Sequence, residues 1–175
     1  VMGPLIAANM SYYMPEKDAI AIMKYMSTSF LATVSEYMTP EKAKHLINQI
    51  PMDILKKVTT ELIHKKKFLV AAGFVDVSDV PRLIELSKII HKEEDLIHIS
   101  SFVENKDYIA KIVEGFTDER LQKIITAAYK HNLQDEVLQV FTHLSATQIQ
   151  RILKIVLLLP NDIKDMVAND LKKKL

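Results

Sequence analysis

Apolar residues recur at the same places when a 24-residue shift is applied to the first part of the chain. The shift superimposes eight successive positions of core type: Ala19 on Ala43, Ile22 on Leu46, Met23 on Ile47, Met26 on Ile50, Phe30 on Ile54, Leu31 on Leu55, Val34 on Val58 and Met38 on Leu62. Spacings of three, four and seven positions are typical of one helix face, and the fixed longer period indicates a repeated unit of helix, tight turn and helix. Short amphipathic helix pairs cannot bury their apolar faces alone, so they stack on one another. The sequence therefore predicts an all-α fold, an α-solenoid of stacked antiparallel helix pairs.

Helix start signals agree with this period. Thr39 suits an N-cap and Pro40 the first helical position, where its missing N–H costs nothing. Ser145 and Gln148 have the spacing of a capping box. With only three glycines and no cleanly alternating segment, strands have no support. We predict helices near residues 4–13, 15–26, 28–38, 40–50, 52–67, 79–91, 93–103, 105–115, 118–131, 134–143, 146–158 and 161–173.

The helical period lapses once, in the stretch 71–81, which reads AAGFVDVSDVP. Beyond it the repeat spacing is less regular and the helix pairs are longer. We therefore predict N-terminal helical repeats over residues 1–75 and C-terminal repeats over 76–175, packed on the first as one elongated unit.

The repeated segment also resembles a known family. Residues 14–58 read MPEKDAIAIMKYMSTSFLATVSEYMTPEKAKHLINQIPMDILKKV. This run is similar to the helical repeats in the intracellular N-terminal domain of MgtE-type magnesium transporters and, more distantly, to the middle domain of the flagellar motor switch protein FliG. The resemblance covers residues 14 to 68 and implies a right-handed superhelix. No magnesium ligand of the family can be matched to an acidic residue here, so it transfers no functional residue.

Composition narrows the classes of function. The chain has no cysteine, which excludes disulfides and thiolate metal sites and favours a reducing compartment, so we expect a cytoplasmic protein. Its formal net charge is +1, too small a field to attract nucleic acid, and its longest apolar run, FLVAAGFV, is far too short to span a bilayer. Neither a nucleophile elbow nor a phosphate-binding glycine loop is present. We expect no enzymatic activity and no cofactor.

Three residues are weak candidates for metal ligands because of their spacing. His91, Glu94 and His98 lie at i, i+3 and i+7, so a single helix could present two imidazoles and a carboxylate to a zinc-like ion. The alternative is that His91 ends one helix before Glu93 starts the next, which removes it from the shared face. The second interpretation is favoured, and no metal site is expected.

Two further alternatives concern small ligands. The carboxylates of Asp76, Asp79, Glu93, Glu94 and Asp95 would suit a cation-responsive, magnesium-binding regulatory domain, although helix N-termini also favour negative charge. A cavity between the two halves near residues 71–77, lined by Phe68 and Phe74, would suit an apolar small ligand.

The N-terminal segment is the preferred interaction surface. Met10, Tyr12, Tyr13 and Met14 combine adaptable thioethers with aromatic rings and are less easily explained as core than Met23 and Met26. No charged residue precedes Glu16, whereas the C-terminal NDLKKKL supplies a polar end. The sequence favours a non-enzymatic interaction scaffold that binds a protein partner or its own copy here, with Tyr12 and Tyr13 as anchors.

Overall fold

The computed structural model describes residues 2–174, with side chains as far as Lys172. Over this range the chain forms helices and no strand, which confirms the predicted all-α class; the end of the charged C-terminal stretch lies outside the described side chains. The helices are α1 (Pro4–Ser11), α2 (Glu16–Met23), α3 (Thr28–Glu36), α4 (Pro40–Ile47), α5 (Met52–His64), α6 (Phe68–Val75), α7 (Val80–Ser87), α8 (Glu93–Phe102), α9 (Lys106–Glu114), α10 (Asp118–Lys130), α11 (Gln134–Phe141), α12 (Ala146–Leu157) and α13 (Asn161–Lys174).

The period found in the sequence is two helices long. The first five helices begin at Pro4, Glu16, Thr28, Pro40 and Met52, so their starts are evenly spaced at half of that period. A helix of eight or nine residues and a short turn fill this interval four times. Because α2 and α4, and likewise α3 and α5, start one full period apart, the predicted register is confirmed at the level of helix positions.

Several helix starts have side-chain caps. Ser145 and Gln148 form the predicted capping box, in which the Ser145 hydroxyl accepts from the Gln148 N–H at 3.2 Å and the Gln148 carbonyl oxygen accepts from the Ser145 N–H at 2.7 Å. The Thr117 hydroxyl accepts from the Arg120 N–H at 3.2 Å. Thr39 is the N-cap residue of α4, but its side chain makes no capping bond, and its N–H donates to the Tyr12 hydroxyl at 2.6 Å. These bonds satisfy donors that a helix leaves free in its first turn.

The segment Phe68–Val75 falls between the predicted helices, and the structure shows it to be a separate helix, α6. Helix α5 ends at His64, and the chain turns at Lys66 with φ of 56°, while the Lys67 N–H donates to the Leu62 carbonyl at 2.8 Å. Such left-handed turns are usually made by glycine. The α6 sequence is apolar all round, so it has no helical period to indicate a helix.

The described chain divides into two compact units. The first runs to His91 and includes Phe102–Glu104; the second contains Lys92–Ser101 and the chain from Asn105 onward. In the first unit α1 packs on α3, α3 on α5, α5 on α7, and α4 on α6. In the second, α9 packs on α11 and α10 on α12. Contact between helices two apart in the chain is typical of stacked repeats. The handedness of the stack stays a prediction.

The predicted division at 75/76 falls inside the first unit, between α6 and α7. The Asn48 amide nitrogen donates to the Val77 carbonyl at 3.2 Å, and its oxygen accepts from the Asp79 N–H at 3.1 Å. Asp76 accepts a hydrogen bond from the Glu104 N–H at 3.0 Å, and this bond joins Glu104 to the first unit. The lapse in periodicity therefore coincides with a turn held by Asn48, and the compact units divide further along the chain, near His91.

The two units share one helix plan. Helices α4, α5, α6 and α7 begin at Pro40, Met52, Phe68 and Val80, and a single constant offset along the chain leads from these starts to those of α9, α10, α11 and α12 at Lys106, Asp118, Gln134 and Ala146. Lys66 and Asn132, which are related by the same offset, both have φ of 56°. The Leu133 N–H donates to the Ala128 carbonyl at 2.7 Å, as Lys67 does to Leu62. A four-helix order with the same spacing therefore occurs twice in the chain.

Each unit has its own core. In the first, buried Ala19, Leu46 and Ile50 pack with half-buried Met23 and Met38, while Ala43, Ile47 and Val77 form a second cluster. In the second unit one large cluster gathers residues of α8, α10, α12, α13 and the turns after α10 and α12, namely Ile97, Leu121, Ile125, Ala128, Tyr129, Leu133, Ile155, Val156, Leu159, Ile163 and Val167.

Candidate interaction surface

Helix α1 exposes an apolar face. Met2, Leu5, Ile6, Met10 and Tyr13 follow one another at helical spacing and are 42%, 53%, 56%, 44% and 89% exposed. The fully buried residue of α1, Ala8, lies on its other side, and α1 packs on α3. Because α1 is the first helix of its row, this outer face has no neighbouring helix within the described chain.

The repeat supplies an internal control for this exposure. Ile22 of α2 is 40% exposed, whereas Leu46, at the same place in the next repeat, is 1% exposed. Met10 is 44% exposed and its counterpart Val34 is 7% exposed. These positions are apolar in both copies, and they are covered only where a preceding helix pair packs on them. We call the exposed set, Met2, Leu5, Ile6, Met10, Tyr13 and Ile22, the end surface. The comparison between copies supports Met10 and Ile22, since the equivalents of Leu5 and Tyr13, Ser29 and Tyr37, are exposed as well.

The structure separates the four predicted interaction residues into two pairs. Met10 and Tyr13 belong to the end surface. Tyr12 is half-buried, packs on the Ala43, Ile47 and Val77 cluster, and accepts a hydrogen bond from Thr39. Met14 packs on the cluster of Ala19, Leu46 and Ile50. Tyr12 and Met14 thus make contacts inside the first unit, and their predicted part in an interface stays a prediction.

Sequence reasoning placed Ile22 in the core and so missed it as a surface residue. The superposition of Ile22 on Leu46 identifies equivalent positions but does not show whether a neighbour covers both. The available signal was that Ile22 belongs to the first copy of the repeat among the described residues, which contain no earlier copy.

Exposed tyrosines recur with the same spacing as the helix starts. Tyr13, Tyr25 and Tyr37 each follow the end of a helix and are 89%, 91% and 52% exposed. Each N–H donates to a carbonyl one helical turn earlier, at Met10, Ile22 and Val34, so the three rings occupy the same position of successive helix units. Amphipathic rings of this kind are frequent in protein interfaces.

The electrostatics of the end surface are simple. From Met2 to Pro15 the sequence has no charged side chain. A nearby cation, the Lys42 ammonium, lies 5.7 Å from the centre of the Tyr12 ring. The surface therefore offers apolar contact without a net charge of its own.

The three weak candidates for metal ligands do not lie on one helix face. Helix α8 begins at Glu93, so His91 precedes the helix that carries Glu94 and His98 and does not share its face. Among the described residues, no three His, Asp or Glu side chains are placed to hold a metal ion together. The reason is the helix break that was the favoured alternative.

One of the acidic residues proposed for cation binding, and two lysines after α5, form ion pairs. Glu93 pairs with Arg120 at 3.1 Å; burial raises the pKa of Glu93, and the guanidinium of Arg120 opposes that rise. Lys65 lies 3.2 Å from Glu61, and Lys67 lies 2.7 Å from Glu36. The Glu93 contact fits the interpretation of the acidic residues as structural.

The segment proposed to line an apolar cavity is packed inside the first unit. Ala72 is fully buried, and Phe74 packs on the Ala43, Ile47 and Val77 cluster. Residues 71–77 therefore do not lie at a division between two halves, because α6 is a stacked helix of the first unit.

No helix in the described part of the chain has the length and apolar character needed to cross a membrane. Comparison with protein-family models, curated proteins and solved structures finds no match to this chain. The resemblance to MgtE N-terminal domains therefore stays a prediction, and the end surface must be interpreted from its own residues.

Proposed function

We propose that the protein is a non-enzymatic interaction scaffold whose end surface docks a helical protein surface. The observation that carries the proposal is the contrast between Ile22 and Leu46, which are 40% and 1% exposed at equivalent repeat positions. A stacked-repeat fold uses such positions for contact with the adjacent helix pair. Where the described residues supply no adjacent pair, a helical partner would supply the same apolar contact.

The cysteine-free sequence favours a reducing compartment, and we place the scaffold in the cytoplasm. Tyr13 is the preferred anchor, because a tyrosine supplies a large contact area at a low cost in side-chain entropy. Met10 beside it is unbranched and adapts to the shape of a partner.

A photo-crosslinking experiment tests the proposal. A benzophenone amino acid replaces Tyr13, which is 89% exposed, and the protein is irradiated in an extract of its source cells. We expect a discrete crosslinked product, containing either another protein or a second copy of this chain. The matched control carries the same group at exposed Gln150 of α12. No discrete product at position 13, or the same products at both positions, would contradict the proposal.

A further inference from the structure

We draw no further inference here: the strongest candidate, the surface patch of the exposed leucines Leu157 and Leu158 at the turn between α12 and α13, carries none because nothing in the structure shows what covers it.

Discussion

Two adjacent tyrosines have different chemical environments. The Tyr12 hydroxyl accepts the Thr39 N–H at 2.6 Å, where α4 begins, whereas Tyr13 is 89% exposed. We predict that Tyr12→Phe lowers the free energy of unfolding by about 1 kcal/mol, the usual loss for one hydrogen bond. Tyr13→Phe, which removes the same atom from an exposed ring, should change it by less than about 0.5 kcal/mol. Urea unfolding followed by circular dichroism measures both, and equal effects would contradict the assignment.

The sequence could place Tyr12 near the end of α1, but the Thr39 N–H that it accepts belongs to a distant part of the chain, at the start of α4. Periodicity reports which side of a helix is apolar, and a residue in the turn after the helix lies outside that pattern. The burial of Tyr12 and Met14 therefore depends on packing between helices that the pattern does not report. Met10 could be predicted because it lies on the apolar face of α1, whereas Tyr13 was predicted from its aromatic ring in a segment without charge.

The raised pKa of Tyr129 predicts a loss of stability at high pH. Burial raises the pKa of Tyr129 to about 12, and the negative charge of Asp170 adds to the effect. An unfolded tyrosine titrates near a pH of about 10. The folded state therefore keeps the Tyr129 proton up to a higher pH than the unfolded state does. The stability that this proton contributes is fully present below a pH of about 10, and the free energy of unfolding declines as the pH rises toward about 12. We expect the decline to be smaller in Tyr129→Phe, and an unchanged slope in that variant would contradict the prediction.

At the scale of helices, shortening an apolar side chain should lower the free energy of unfolding less in α2, at the end of the stack, than in α4, in its interior. Leu46 of α4 is 1% exposed, and we predict that Leu46→Ala lowers the free energy of unfolding by about 2–5 kcal/mol. Ile22 of α2 occupies the same repeat position at 40% exposure, and Ile22→Ala should cost less than about 1 kcal/mol. Chemical unfolding is performed at a concentration where the chain is monomeric. Equal losses would show that α2 is covered as fully as α4.

Most helices could be predicted from the sequence because two independent signals agreed. Apolar spacing indicated their faces, and residues such as Pro40 and Ser145 indicated their starts. Helix α6 could not be predicted because it has no polar face and follows a left-handed turn at Lys66, a residue type that carries no turn signal. The same turn at Asn132 was easier to predict, since asparagine tolerates this conformation.

At the scale of the whole molecule, both units contain a backbone carbonyl, just before the long helix, that accepts a hydrogen bond from an arginine. Ile50 and Phe116 are related by the offset that joins the two helix plans, and each precedes the long helix of its unit, α5 or α10. The Arg82 guanidinium donates to the carbonyls of Ile50 and Ile47, and the Arg151 guanidinium donates to the Phe116 carbonyl at 2.6 Å. Both units thus contain this hydrogen bond, although the arginines that donate it are not at equivalent positions. Arg82 is the third residue of α7, and Arg151 is the sixth residue of α12.

We predict that Arg82→Gln and Arg151→Gln each lower the free energy of unfolding by about 1.5–3 kcal/mol, the range for hydrogen bonds from a charged donor. The shorter amide side chain cannot keep the same reach, so carbonyls beyond the ends of α4 and α9 lose their donor. Arg151 also loses its 2.7 Å bond to Asp118, but this carboxylate is exposed, so the added cost is small. Lys88→Gln and Lys154→Gln are the matched controls, because both lysines are exposed and the same offset relates them, and each should change stability by less than about 0.5 kcal/mol. If the arginine variants unfold at the same urea concentration as these controls, the carbonyl contacts do not stabilise the repeated helix plan.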